Sequence, residues 1–260
     1  MRDLSELVTG YRKFLREQHP HDVKLYISLA ERGQTPKTMI IACCDSRVDP
    51  SRIFSAGPGE LFIARNVANL VPPYEPSGRH HGTSAAIEFA VENLEVQNIV
   101  VLGHARCGGI RAFLDRESER TATNDSFAEK CNHDGFITKW MSLLRPAWGE
   151  VLRTAGGQDE RNRELALAQC SIRYSIDNLT TFPFVKARLE AGHLRIHGAY
   201  FDIASGDLLT LNSETRGFEG LPDDPVHRDA PAQPVAYAGE PAVVERLALR
   251  RRAALSANRG

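Results

Sequence analysis

No stretch of the 260-residue sequence is apolar over anything near the length of a membrane span. The N-terminus, Met1-Arg2-Asp3-Leu4-Ser5-Glu6, lacks the apolar core of a secretory signal. These two absences lead to the expectation of a cytoplasmic protein without a membrane span. Charge of one sign is also missing: 32 Lys and Arg against 33 Asp and Glu leave a formal net charge of −1. No global field therefore draws the chain to nucleic acid, and none is expected as a partner. Cysteine is scarce and odd in number, five in all, which argues against a disulfide framework and for a reducing compartment. No internal repeat is present. The rest is ordinary for a globular protein, 42% hydrophobic and 25% charged residues, with length for one large domain or two small ones.

Against that plain background two short stretches stand out. Cys43-Cys44-Asp45-Ser46-Arg47 follows the apolar run Met39-Ile40-Ile41-Ala42, and His104-Ala105-Arg106-Cys107 follows Ile99-Val100-Val101-Leu102-Gly103. Short apolar runs ended by polar residues or glycine read as buried strands. A Cys thus ends one strand, and a His and a Cys lie just past another, at the rim where open α/β sheets build their sites. Cys43, His104 and Cys107 form a candidate zinc triad, with three protein ligands leaving a fourth position open. Taken alone, Cys43 reads equally well as a buried core thiol. Asp45 is close enough to close the fourth position itself, and Arg47 is placed to hold it off by a bidentate pair; in isolation the two read as a surface ion pair. Cys44, on the other side of a continuing strand, reads as a packed or bystander thiol.

The remaining pattern places these stretches in an α/β fold. Apolar residues recur at helical spacing through 4–33, interrupted at Pro20 and ended by Gly33, which predicts an N-terminal helical arm. Strands are expected at 38–43, 61–64, 98–102 and 194–203, with Ser205-Gly206-Asp207 turning the chain into an antiparallel edge at 208–211. Thr83 to Glu95 reads as an amphipathic helix with Phe89 off its apolar stripe, on a surface that suits a subunit interface or site wall as well as open solvent. Gly108-Gly109-Ile110 opens another helix, whose first N–H groups can meet an anion. Residues 126–178 read as mostly helical, broken near Pro146 and Gly156-Gly157, and 183–191 as one more helix. The expected architecture is a mainly parallel sheet of about four strands plus an antiparallel edge, flanked by helices. Residues 1–214 are expected to form a single zinc-enzyme domain. Five prolines from Pro222 to Pro241 mark 215–260 as an extended tail, in which Val243 to Leu255 could form a short basic helix.

The series Cys43-x-Asp45-Ser46-Arg47, Phe62-x-x-Arg65-Asn66-Val67-Ala68-Asn69 and Gly103-His104-x-x-Cys107-Gly108-Gly109 resembles the β-class carbonic anhydrases, from about Leu15 to Leu211. The resemblance implies reversible hydration of carbon dioxide to bicarbonate and a proton by zinc-bound hydroxide, with one Zn²⁺ per chain. It implies that Asp45 and Arg47 orient the hydroxide, and that Phe62 and Val67 line the carbon dioxide pocket, with Gly108 beside the substrate. It implies that Gln34 donates a hydrogen bond to substrate bound in the neighbouring subunit, which requires a homodimer or a higher even oligomer. Two departures matter. Phe89 stands where relatives often carry Tyr. Ile40 stands where the bicarbonate-inhibited subset carries Trp, so the chain resembles the open-site, plant-like subset, in which Asp45 stays on Arg47 near neutral pH.

Two alternatives come with this reading. A hydrolase of carbon disulfide or carbonyl sulfide is possible on the same scaffold, decided by the access route to the pocket. A non-catalytic zinc-binding protein is the alternative from another class, although structural sites normally have four protein ligands. A Cys43–Cys44 redox pair is disfavoured, since adjacent cysteines make strained disulfides. His80, His81, His133, His193 and His197 are assigned no role by spacing.

Overall fold

Six residues, Thr38–Cys43, form β1, and all but Thr38 are buried. Burial on both faces marks an interior strand of a parallel sheet. β1 lies between β2 (Leu61–Asn66) and β3 (Asn98–His104), parallel to both. β4 (Arg195–Phe201) extends the parallel set beside β3, and β5 (Leu208–Leu211) and β6 (Phe218–Gly220) follow as antiparallel strands. The order is β2-β1-β3-β4-β5-β6. The structure, a computed structural model, describes residues 3–77, 81–122, 135–154 and 159–221.

This order puts a switch point between β1 and β3, because the chain leaves β1 to one side for β2 and returns on the other for β3. In doubly wound sheets the crevice at the carboxyl ends of such strands is where ligands bind. Cys43 is the last residue of β1 and His104 the last of β3.

The helices are α1 (Leu4–Glu17), α2 (His19–Arg32), α3 (Pro50–Ile53), α4 (Gly82–Glu88), α5 (Gly108–Ala122), α6 (Phe136–Met141), α7 (Arg145–Thr154), α8 (Glu160–Leu179) and α9 (Pro183–Glu190). Local chemistry starts and stops several of them. Asp3 caps α1 by accepting the Glu6 N–H, Asp159 caps α8 through Asn162, and Gly33 ends α2 at a φ of 79°. Among the described residues the arm α1–α2 has none that is fully buried, and Leu4, Leu7, Tyr11, Leu25 and Ile27 are exposed.

The large core lies on the face of the sheet shared by Met39, Ile41, Cys43, Ile99 and Val101, with Leu167, Cys170 and Ile172 of α8 packed into it. The opposite face holds a small cluster of Ile40, Ala42, Leu102 and Ala199. α8 comes close because β3 and β4 carry glycine beneath it. A Cβ at Gly103 would lie 2.7 Å from Ile172 Cδ1, and one at Gly198 would lie 3.0 Å from Ile172 Cγ2 and 2.9 Å from Leu211 Cβ.

The helical stretch is interrupted just before Pro146, as expected, by a 3-10 turn at Ser142–Leu144, and Pro146 sits in the first turn of α7, where its missing N–H is tolerated. Two local expectations change. The helix expected over 83–95 ends as a π-helical turn, Phe89–Asn93, in which the Leu94 N–H reaches Phe89 O. The sheet runs past 214 through β6, because Asn212 Oδ1 accepts the N–H groups of Glu214 and Thr215 and folds the chain back along β5. Arg216 then clamps this hairpin to Asp177 of α8 through a bidentate pair. Residues 126–134, the Gly156-Gly157 break, and the tail from 222 with its basic segment lie outside the described residues. Among the described residues, no helix is long and apolar enough to cross a membrane.

Candidate metal centre

The ends of β1 and β3 bring Cys43, His104 and Cys107 together in the interior, each of them buried. Their ligand atoms all lie within 4.8 Å of one another, and the two sulfurs are 3.8 Å apart. Two thiolates bound to zinc at ~2.3 Å and at the tetrahedral angle would lie about 3.8 Å apart. His104 Nδ1 is 2.9 Å from the Ala105 carbonyl, which fixes that nitrogen as the N–H donor. Nε2 therefore carries the lone pair, and it is buried with no hydrogen-bond partner among the described residues. An acceptor nitrogen left bare beside two thiols is costly to bury unless a cation fills the space.

The thiols point the same way. Cys43 is pulled well below the ordinary thiol range, chiefly by its hydrogen bond with Cys107, and Cys107 is pushed up by that same hydrogen bond, by burial and by the charge it then faces. Two sulfurs that cannot both ionise side by side do so on a dication, which has an appetite for thiolate and imidazole. The donor set fits zinc.

Asp45 lies next to this cluster, its Oδ2 3.8 Å from His104 Nε2, and is held away by Arg47. The Arg47 Nε–H donates to Oδ1 at 2.9 Å, a terminal N–H donates to Oδ2 at 2.6 Å, and the backbone N–H of Arg47 donates to Oδ1 at 3.0 Å. These hydrogen bonds hold the Asp45 carboxyl far below the usual carboxylate range. Arg47 also donates to the Arg106 carbonyl at 2.8 Å, tying the loop after β1 to the loop after β3. Arg106 presents that carbonyl from a left-handed conformation, φ 56°.

The other expected residues are spread around the centre. Val67 lines a cavity of about 640 Å³ with Cys44, Asn66, His81, Thr83 and Trp140. Gly108 lines a second, of about 600 Å³, with Arg106, Arg111 and Tyr200. Phe62 is half-buried on β2 and packs on Phe89, ring centroids 5.9 Å apart. Gln34 is exposed on the connection between α2 and β1. Cys44 is exposed rather than packed, since it leaves β1 on the side opposite Cys43. Ile40 is buried in the small cluster on the opposite face of β1 from Cys43. Of the histidines, His81 borders the first cavity, His197 is 3.3 Å from Asn98 Oδ1, and His80 and His133 lie outside the described residues.

Sequence reasoning left two side chains without a role. Arg65 Nε–H donates to the Cys43 carbonyl, and a terminal nitrogen donates to the carbonyls of Asp45 and Val48, at 2.7–2.9 Å. One guanidinium thus staples the whole ligand loop to β2. Trp140 donates its indole N–H to the Val67 carbonyl at 2.8 Å. Arg65 was visible as part of a motif, but its targets depend on the β1–β2 register, which pairs Cys43 with Asn66. Nothing in the sequence marks Trp140.

A family model for carbonic anhydrase matches residues 38–208. The chain is similar to beta carbonic anhydrase 3 of Arabidopsis thaliana, 33% identical over 214 residues, which cover 82% of this chain and 79% of that protein. Its fold is similar to that of the β-carbonic anhydrase CcaA, with a TM-score of 0.75 at 27% identity over 85% of this chain and 92% of the other. It is also similar to one of two tetrameric β-carbonic anhydrases from Sordaria macrospora, with a TM-score of 0.66 at 27% identity over 79% of this chain and 95% of the other.

Proposed function

The chain belongs to the β-class carbonic anhydrases, zinc enzymes of reversible carbon dioxide hydration, and from that premise we propose that Cys43, His104 and Cys107 hold the zinc and that Asp45 and Arg47 govern its open side. The observation that carries the ligand assignment is the bare, buried Nε2 of His104 beside two sulfurs 3.8 Å apart. When bound, zinc supplies a Lewis acid that makes water nucleophilic near neutral pH.

The remaining work falls to the chain. Asp45 is an ionised carboxylate and can only accept hydrogen bonds. It admits a water or hydroxide at the open side with an O–H turned toward it, which leaves an oxygen lone pair free to meet the carbon of the substrate. Arg47 keeps Asp45 in that role by occupying both of its oxygens, so that it does not move the 3.8 Å toward the ligands. Val67 and Phe62 supply apolar wall for an apolar gas. Gly108 begins α5 beside open space, where its N–H can meet an anion.

We propose further that the site is completed across a subunit boundary, in a homodimer or a higher even oligomer. Gln34 is exposed, Phe89 is 44% exposed beside Phe62, and Leu4, Leu7, Tyr11, Leu25 and Ile27 of the arm are left exposed by the described residues. The tetrameric relative from Sordaria macrospora supports assembly of this kind. We assign 1–214, extended by β6, to one catalytic unit. We place the protein in the cytoplasm, where Cys43 and Cys107 stay reduced; the described cysteines are all free.

The direct test is stopped-flow carbon dioxide hydration on purified protein with zinc measured on the same sample. Activity that tracks zinc up to about one ion per chain is expected, and zinc-loaded protein without hydration activity overturns the reading. Sedimentation at assay concentration tests the assembly. A dimer or a multiple of one is expected, and an active monomer refutes it.

A further inference from the structure

The peptide that joins Val67 to Ala68 is engaged at both ends. Its carbonyl accepts the indole N–H of Trp140 at 2.8 Å, and its N–H is 3.4 Å from Cys43 Sγ. Ala68 has φ 64° and ψ 25°, and Asn69 follows at φ 49°. Two successive left-handed residues that are not glycine are strained, so the surrounding structure must hold them. Asn66 clamps the turn below: its side chain accepts the Leu70 N–H at 2.9 Å and donates to the Leu70 carbonyl at 2.8 Å. Gly109 makes room beside it, since a Cβ there would lie 2.9 Å from Val67 Cγ1 and 3.2 Å from Ala68 Cβ. Trp140, on α6, holds the remaining side.

We propose that Trp140 is a positioning residue for the Cys43 ligand and acts through the single peptide between Val67 and Ala68. The indole pulls on the carbonyl oxygen and polarises the amide, and hydrogen bonds arranged in series strengthen one another. A stronger N–H to sulfur bond spreads the thiolate charge and fixes the direction of its lone pairs. Groups behind the ligands tune metal affinity in this way. The inference rests on Cys43 being a zinc ligand. The plain alternative is that Trp140 only satisfies its own N–H while packing. Trp148, the other Trp of the chain, provides the comparison: it packs edge-on against Phe113, ring centroids 6.5 Å apart.

The test uses full-length protein loaded with Co²⁺, whose sulfur-to-metal charge-transfer band reports thiolate donor strength, and zinc affinity from competition with a chelator. In Trp140→Phe the band is expected at longer wavelength, and zinc affinity is expected to fall about tenfold. Trp148→Phe should change neither. Labelling Trp148→Phe protein with 5-fluorotryptophan makes residue 140 a stronger donor without altering the fold, and the band should move to shorter wavelength. A band and an affinity that stay at wild-type values in both Trp140-altered proteins overturn the proposal, however far the melting temperature falls. If Trp140→Phe does not fold, the fluorinated protein decides alone. Wild-type protein that takes up neither metal overturns the ligand assignment and this inference with it. A band that is present but insensitive to residue 140 removes only the inference.

Discussion

His104→Ala should lose zinc and carbon dioxide hydration together, and this is the largest effect expected of any substitution in the chain. The variant deletes the one neutral donor and leaves two thiols 3.8 Å apart in the interior. Without a cation they cannot both be thiolates, so the remaining site cannot present the paired negative charge that a dication needs. Zinc makes a bound water far more acidic than bulk water, so a protein without it lacks its nucleophile at neutral pH. Activity should fall by about a thousandfold or more. Metal analysis after dialysis should find less than about a tenth of an ion per chain, with Cys43→Ala and Cys107→Ala behaving alike. Full zinc occupancy in all three variants would falsify the ligand assignment.

Arg47→Ala should keep zinc and still lose activity by about a hundredfold, which separates the residues that hold the metal from those that govern its open side. The substitution removes the side-chain grip on both oxygens of Asp45, leaving the backbone N–H of residue 47 on Oδ1, and cuts the tie to the Arg106 carbonyl. In zinc-loaded protein a carboxylate released 3.8 Å from His104 Nε2 would be drawn to the metal and would block the open position. Arg47→Lys should recover little, because an ammonium cannot reproduce the planar two-point grip. Asp45→Asn should also retain zinc, with activity reduced because an amide can turn a donor toward the nucleophile. Loss of zinc in Arg47→Ala to the level of His104→Ala would collapse this division of roles.

The acid side of the pH profile follows from the same pair. A carboxyl held far below its usual range contributes stability that is present above the ordinary carboxylate pKa and is lost only as pH falls through the depressed value. Asp45 therefore stays ionised on Arg47 through neutral and mildly acidic solution. An activity loss that sets in above about pH 5 belongs to another group.

The site was legible in the sequence where its chemistry is local. Cys43 and His104 end apolar runs, Cys107 follows three residues on, and Asp45 and Arg47 are two residues apart, so the ion pair needs only a loop of the right shape. What the sequence hid depends on long-range docking. Arg65 reaches carbonyls 17 to 22 residues away because β1 and β2 pair in one register. Trp140 reaches Val67 across 73 residues. β6 went unread because three residues, Phe218–Gly220, carry too little pattern to show as a strand. The π-helical turn at Phe89 was equally silent, since its apolar residues fit an ordinary helix.

By itself the sequence determined the alternation of strands and helices, the residue types of the proposed zinc ligands and their placing at or just past strand ends. Each of these follows from hydrophobic periodicity and from residue types a few positions apart. Only the tertiary structure decided which strand neighbours which, and so that the switch point falls between the strands bearing Cys43 and His104. Only it decided that His104 is fixed as the Nδ1–H tautomer by the Ala105 carbonyl, and that a peptide in left-handed turn geometry aims its N–H at a sulfur. Strand pairing and such turns are set by the packing of residues far apart in the chain, whose free energy no local pattern records.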